Sequence, residues 1–239
     1  NLCRATRSSG VESLVVAYES DGPFRSAFTL AGVRTAVVAE GSGLRPSVVA
    51  KLARLFVKFG ADVVHTHHLG PLMYGGIAAR MTGSRLVHTA HSVEFLNTPR
   101  RIWAARVAGR GAAVISVSRA VAAARTAITG RPSAVVNNGV VVPTMDDWRH
   151  AVECREALGL PRNVPVIGCV ARLSAEKDHA LLLRAFEKVA DEHDVHLAVI
   201  GDGPLRDKLE AQRRTLRSAD RVHLLGAKKD ASRLVAAFS

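Results

Sequence analysis

The chain has 239 residues, 48% hydrophobic and 23% charged, which describes a globular protein with material for one large core or two modest ones. No apolar run approaches the roughly 18 residues of a membrane span, and the first residues lack the basic-then-apolar order of a signal peptide, so the expected compartment is the cytoplasm. A net charge of +12 calls for anionic partners and leaves nucleic acid, phosphorylated small molecules and acidic membrane surface open, while 5% aromatic content is too low for a platform that stacks bases.

Short apolar runs alternate with longer helical segments, the pattern of parallel sheets built from βαβ units. The opening NLCRATRSSG reads as the end of a helix whose preceding strand is missing, so the sequence is expected to be a fragment of a longer chain. In the first half SLVVAY, RTAVVAE, ADVVHT, RLVHTA, AAVISV and SAVVNN read as strands, with helices near 46–59, 70–82, 99–109 and 118–128. Two helical segments are basic and amphipathic, of a kind that can rest on a membrane. One is PSVVAKLARLFVKFG with Lys51, Arg54 and Lys58; the other is PRRIWAARVAGRG with Arg100, Arg101, Trp103, Arg106 and Arg110. A packed surface helix with a solvated basic face is the commoner origin of such a pattern.

After Asn137, Asn138 and Gly139 the alternation breaks at VVVPTMDDW, and a helical stretch to Leu158 leads into the turn-rich GLPRNVP. This places a first domain over 1–145, a linker over 146–163 and a second domain over 164–239. The second half restarts with VPVIGCVA, VHLAVIG and RVHLLG as strands, too few for a complete doubly wound domain. Cys3, Cys154 and Cys169 are few and unpaired in spacing, and read as reduced packing residues.

Chemistry concentrates at strand ends. In VIGCVARLSAEKDHALLLRAF, a buried strand is followed by a helix whose Leu182, Ala185, Phe186 and Val189 recur at core spacing. Arg172 and Lys177 stand at the junction. Ligands of open α/β sheets collect at the carboxyl ends of strands, where helix N-termini present unpaired N–H groups, so two cations there suit a diphosphate. His65, His67 and His68 end the strand ADVVHT, and the His-x-His spacing puts two imidazoles on one face. That geometry also serves Zn²⁺, but Leu69 and Gly70 stand where a metallohydrolase needs further ligands. His91 ends LVHTAHSVEF. Ser118 reads as an N-cap before SRAVAAA, and no base partners Ser116 or Ser118 as a nucleophile. Gly139 reads as a turn glycine with a backbone conformation that other residues resist.

The Arg172 and Lys177 spacing, the LLLRAF helix, DVVHTHHLG, LVHTAHSVEF, the NNGV turn and VIGDGPLRDKLE together resemble the retaining glycosyltransferases of family 4. The resemblance covers nearly the whole chain and implies the GT-B fold: two Rossmann-like, doubly wound parallel-sheet domains, here with the second incomplete. It implies that Arg172 and Lys177 grip the donor diphosphate and that His91 hydrogen-bonds the donor sugar. His65, His67 and His68 fall on the acceptor side of the cleft, and Gly201, Gly203 and Gly226 near the nucleotide. No metal and no cofactor is implied beyond the nucleotide-diphosphate sugar as co-substrate, since the two cations neutralise the leaving group. The acceptor is a glycan, a lipid-linked glycan or a small molecule, with peripheral contact to an anionic membrane as a further expectation. The family's paired glutamates and its glycine-rich loop fall outside the sequence. Alternatives are a catalytically silent module that binds a nucleotide sugar, a metal-dependent hydrolase using His65 and His67, and a nucleic-acid-binding protein suggested by charge alone.

Overall fold

A computed structural model describes residues 2–18, 25–38, 45–139, 150–228 and 231–238. The chain divides into two compact units, 1–141 and 142–239. VVVPTMDDW and the last residue of NNGV lie outside the described residues.

The first unit runs α1 (Leu2–Arg7), β1 (Leu14–Ala17), α2 (Arg25–Leu30), β2 (Arg34–Val37), α3 (Pro46–Phe59), β3 (Val63–His67), α4 (Leu69–Thr82), β4 (Arg85–Ala90), α5 (Pro99–Ala108), β5 (Ala113–Ser116), α6 (Arg119–Thr129) and β6 (Ala134–Val135). β1 and β2 form a parallel pair, and β3-β4-β5-β6 form a four-stranded parallel sheet in that order. Sequential parallel neighbours joined by right-handed crossovers put α4, α5 and α6 on one face of that sheet.

Local chemistry sets the helix ends. α3 begins with Pro46, whose missing N–H leaves no orphan donor, and stops at Gly60 in the left-handed conformation, φ 69°. It buries Val48, Leu52 and Phe56 in a core shared with Val64, Leu72 and Leu86. α4 approaches α5 so closely that a Cβ on Gly76 would lie 2.5 Å from the Ala108 carbonyl oxygen. Ser118 caps α6 as its sequence position predicts, accepting the Val121 N–H at 3.2 Å. Gly139 corrects an expectation: it is not among the glycines with positive φ and a Cβ there meets open space, so its position does not demand glycine.

The second unit runs α7 (Ala151–Leu158), β7 (Val166–Val170), a 3₁₀ turn (Ala175–Lys177), α8 (His179–Glu192), β8 (His196–Ile200), α9 (Arg206–Arg214), β9 (Val222–Gly226), α10 (Ala231–Leu234) and a closing 3₁₀ turn (Val235–Ala237). The sheet is parallel, in the order β7-β8-β9. β8 is central, and Leu197, Ala198, Val199 and Ile200 are each at most 2% exposed. Arg155 ties the unit together from α7. Its buried guanidinium donates to the carbonyls of Ala237 (2.9 Å), Pro161 (3.1 Å), Arg162 (2.8 Å) and Val164 (2.9 Å).

Two packing expectations need correction here. Among the described residues β7 pairs with β8 alone and is only partly buried: Val166 is 1% exposed, whereas Ile167 and Val170 are 40% and 46% exposed. α8 buries His179, Leu183, Phe186 and Ala190, while Val189 and Ala185 face outward and Leu182 is half-buried. Three consecutive leucines offer the helix more than one apolar stripe, and packing against Leu173, Leu197 and Leu209 selects the one through Leu183. Among the described residues no helix is long and apolar enough to cross a membrane.

Candidate functional site

The chemistry-bearing residues gather at the carboxyl ends of two parallel sheets. In β3 the pleat turns Val64 and Thr66 inward and His65 and His67 outward. Two residues apart on one face, the His65 and His67 rings lie 4.4 Å centroid to centroid. β4 runs alongside, and just past its end His91 brings Nε2 to 2.9 Å from Nδ1 of His67. His65 Nε2 lies 2.8 Å from the Thr89 hydroxyl. The His68 ring stands 5.2 Å from that of His91 and meets Phe95 edge-on at 6.0 Å.

The backbone is strained where this cluster turns into α4. His68 has φ 63° and ψ 168°, a region that residues with a Cβ seldom enter and that costs about 1–3 kcal/mol. Electrostatics favour the neutral form of His65, His67 and His91. Lost hydration, then the charges that His65, His91 and His68 would carry, push the His67 pKa down to about 4. Burial and neighbouring imidazoles also lower His65 and His91. A 2.9 Å contact between two ring nitrogens needs one N–H and one lone pair, so His67 and His91 share one proton and cannot both be charged in this geometry. His65, His67 and His91 therefore offer directional hydrogen bonds at neutral pH rather than positive charge.

His88, three residues before His91, does something else. It is buried and shares a 3.1 Å hydrogen bond with the Thr66 hydroxyl. Burial first, and the Arg125 charge second, push its pKa down to about 4.

At the other sheet, the loops after β7, β8 and β9 lock together through their backbones. Ala171 N–H donates to Ile200 O at 3.0 Å, Leu173 N–H to Asp202 O at 3.0 Å, and Gly201 N–H to Gly226 O at 2.9 Å. A Cβ on Gly201, where φ is 151°, would lie 1.8 Å from the Ala171 carbonyl oxygen, and one on Gly203 would lie 2.5 Å from that of Leu173. Gly226 sits at φ 72°. Gly201 and Gly203 thus meet the Arg172 loop because only backbone without a side chain allows the loops to come so close, while Gly226 accepts the Gly201 N–H and a Cβ there would meet the Arg206 guanidinium at 3.3 Å.

Arg172 and Lys177 are exposed and, among the described residues, carry no side-chain hydrogen bond or ion pair. Between them the Ser174 hydroxyl donates to Glu176 at 2.6 Å. That bond, then the Glu176 backbone N–H and the positive charges of Lys177 and Arg172, hold the Glu176 carboxyl below its ordinary range. Both cations therefore act on one small region. Asp178 ends the turn with φ 44° and ψ 48° and caps α8, accepting the Leu181 N–H at 3.2 Å. His179 is 3% exposed, with Nε2 4.0 Å from the Cys169 sulfur and a buried Nδ1 that has no hydrogen-bond partner among the described residues. Burial raises the Cys169 pKa in spite of Lys177, so the thiol is no ready nucleophile.

The structure brings His65, His67, His68 and His91 together in one unit, and Arg172, Gly201, Gly203 and Gly226 together in the other, with Lys177 five residues beyond Arg172. Sequence reasoning missed the strained Asp178 and the buried His179. Asp immediately before an apolar helix is a legible cap signal, but nothing in the sequence marks His179 as buried. Among the described residues no three His, Cys, Asp or Glu side chains are placed to hold one metal ion, and the metallohydrolase alternative gains no support.

Comparison with known proteins adds to this geometry. The Glycosyltransferase Family 4 profile matches residues 1–142, and that of the group 1 glycosyl transferases matches 152–238. The chain is 27% identical over 195 residues to the UDP-Gal:alpha-D-GlcNAc-diphosphoundecaprenol alpha-1,3-galactosyltransferase of Escherichia coli, an alignment covering 75% of this chain and 50% of the relative. An uncharacterized glycosyltransferase of Methanocaldococcus jannaschii is 27% identical over 50% of this chain and 30% of its own length. The chain thus spans half or less of the curated relatives it matches. Anabaena HepE in complex with UDP-glucose superimposes with a TM-score of 0.78 at 25% identity, covering 99% of this chain and 67% of HepE. A Rickettsia africae glycosyltransferase does so with a TM-score of 0.78 at 18% identity, covering 100% of this chain and 66% of that protein. The fold of the two parallel-sheet units is the GT-B fold of these enzymes.

Proposed function

The chain belongs to glycosyltransferase family 4, and from that membership we propose that it transfers a sugar from a nucleoside-diphosphate sugar to an acceptor hydroxyl with retention of anomeric configuration. The bond from the anomeric carbon to the diphosphate breaks, a bond to the acceptor oxygen forms, and the acceptor proton leaves with the diphosphate. In this reading the region 164–239 binds the donor and 1–145 carries the acceptor-side residues, joined by the linker 146–163. Arg172 and Lys177 neutralise the charge that grows on the departing diphosphate, the kind of stabilisation that often dominates catalysis. His91 hydrogen-bonds the donor sugar, with His65, His67 and His68 on the acceptor side. Gly201, Gly203 and Gly226 keep the nucleotide end of the site open.

One observation carries this reading. Two exposed, unpaired cations stand beside a glycine-built junction at the carboxyl ends of β7, β8 and β9, where α/β proteins bind phosphorylated ligands. The Escherichia coli relative is named for UDP-galactose and a diphosphoundecaprenol-linked acceptor, and HepE was crystallised with UDP-glucose. A UDP-sugar is accordingly the first donor to test, and a lipid-linked glycan the first acceptor.

The experiment has two arms. UDP-, GDP- and ADP-sugars are screened for thermal stabilisation, where saturation at 100 times Kd adds about 2.7 kcal/mol. Lys177→Ala is then assayed for transfer. Loss of a charge-assisted hydrogen bond of about 1.5–3 kcal/mol lowers kcat/KM by one to two decades, while an exposed lysine leaves the unfolding midpoint unchanged. Unaltered turnover and donor affinity in Lys177→Ala would remove the assignment. Stabilisation by a nucleotide sugar without turnover identifies the silent binding module instead.

A further inference from the structure

From residue 63 to residue 139 the chain carries nine arginines, no lysine and one carboxylate, Glu94. Eight of these arginines are exposed and only Arg125 is buried. Surface cations are ordinarily interspersed with acids, but here several guanidinium groups bond neutral backbone oxygens. Arg80 donates to the Ala108 carbonyl at 2.8 Å, and Arg106 to that of Thr129 at 3.0 Å. Such bonds order the side chains and leave their charge standing, so this stretch presents a cationic surface with one acid to offset it.

The same helical layer turns apolar side chains outward. On α5, Trp103 is 67% exposed and Val107, one turn on, 45%, while Ala105 and Ala108 face the interior. On the adjacent α4, Ile77 and Met81, also one turn apart, are 41% and 65% exposed. On α3 the apolar stripe of Val48, Leu52 and Phe56 is spent in the core, and its outer face shows Lys51, Arg54 and Lys58 with one exposed aliphatic, Val57, and no aromatic. Of the two basic helices read from the sequence, only α5 shows an indole among its arginines.

We propose that the outer face of α4 and α5 docks on an anionic lipid bilayer, with Trp103 and Val107 at the boundary between headgroups and acyl chains and Arg100 and Arg110 on lipid phosphates. Neither helix is by itself segregated into an apolar and a polar face; the patch is a mixed one spread over both, and an aromatic, aliphatic neighbours and cations together suit the headgroup region of an anionic bilayer. A nucleic acid matches the arginines but offers nothing apolar to Val107, Ile77 and Met81. A protein partner without surface acids leaves the charge unanswered. The inference goes beyond the transferase reading and does not depend on it; an enzyme docked this way would meet lipid-linked acceptors in the plane of the membrane.

The test follows Trp103 fluorescence in the chain carrying Trp148→Phe, so that one indole reports. Vesicles of equimolar phosphatidylcholine and phosphatidylglycerol should shift Trp103 emission to the blue, lipids brominated on the acyl chain should quench it, and pure phosphatidylcholine should do neither. Arg100→Ala and Arg110→Ala should each weaken vesicle partition about fivefold, with unchanged circular dichroism. Trp103→Ala should reduce co-sedimentation with the same vesicles while leaving thermal stabilisation by a nucleotide sugar intact. Emission indifferent to anionic vesicles, equal binding to neutral ones, or partition unchanged in the arginine variants overturns the proposal. Tighter binding of an RNA oligonucleotide than of anionic vesicles also overturns it, and reassigns the surface to nucleic acid.

Discussion

The carboxyl ends of β3 and β4 and those of β7, β8 and β9 solve opposite problems with the same architecture. At the first, side chains do the building. Four imidazoles crowd each other, His67 is held neutral with a pKa near 4, and the backbone at His68 is forced into an unfavourable conformation to complete the cluster. At the second, side chains are removed. Gly201 and Gly203 let loop backbones touch, and Arg172 and Lys177 remain exposed and charged. In the proposed reading, the imidazoles that direct hydrogen bonds are crowded against one another, whereas the cations that would receive a multiply charged anion are, among the described residues, open and unpaired.

Gly201→Ala would break this contrast most severely. The new methyl has nowhere to go against the Ala171 carbonyl, and a cost of about 3 kcal/mol is expected from overpacking and backbone strain. Chemical denaturation should show a lower midpoint with unchanged slope. The same substitution at Gly139, where a Cβ meets open space, serves as the neutral control.

Acid should sharpen the contrast next. His67 and His88 have folded pKa values lowered to about 4 from an ordinary 6.5. Unfolded chains therefore bind more protons between those values, and stability falls as pH drops from about 6.5 to about 4 while staying flat above that window. For the buried His88 the effect is of the order of 2 kcal/mol. Replacing His88 with Gln should reduce the fall of the thermal midpoint between pH 6.5 and 4, leaving the part that His67 contributes. A midpoint equally pH-dependent in wild type and variant would reject that origin.

Two smaller effects test strain at each end. His68→Gly should raise stability by about 1 kcal/mol, because glycine enters the His68 conformation freely, and should lower transfer activity by removing a ring from the cluster. Gain in midpoint with no loss of kcat/KM would show that the strain serves no ligand. Asp178→Gly should change stability by less than about 0.5 kcal/mol, since glycine caps nearly as well as aspartate and relieves the left-handed backbone.

Legibility followed the range of the forces involved. RLVHTA is a strand from its first residue to its last, and Ser118 caps α6 where the sequence puts it, because both depend on near neighbours. Placing Arg172, Lys177, His91 and the glycines at strand ends was likewise legible from apolar runs and their punctuation. The α8 stripe was not, because Leu182 and Leu183 are equivalent until a sheet chooses between them. Nor was the exposure of Ile167 and Val170, which depends on what packs against each face of the strand. Gly139 and Gly201 look alike in one dimension, and only the carbonyl of Ala171 distinguishes them.

By itself the sequence determined the alternation of strands and helices, the concentration of cations and histidines at turn positions, and the match to a family, all of which arise from local spacing and side-chain type. Tertiary structure decided that His67 and His91 share a proton, that Gly201 and Gly203 meet the loop carrying Arg172, and that Trp103 faces outward among arginines. Those outcomes depend on distances between residues far apart in the chain, and such distances exist only once parallel pairing has set one strand end beside the next.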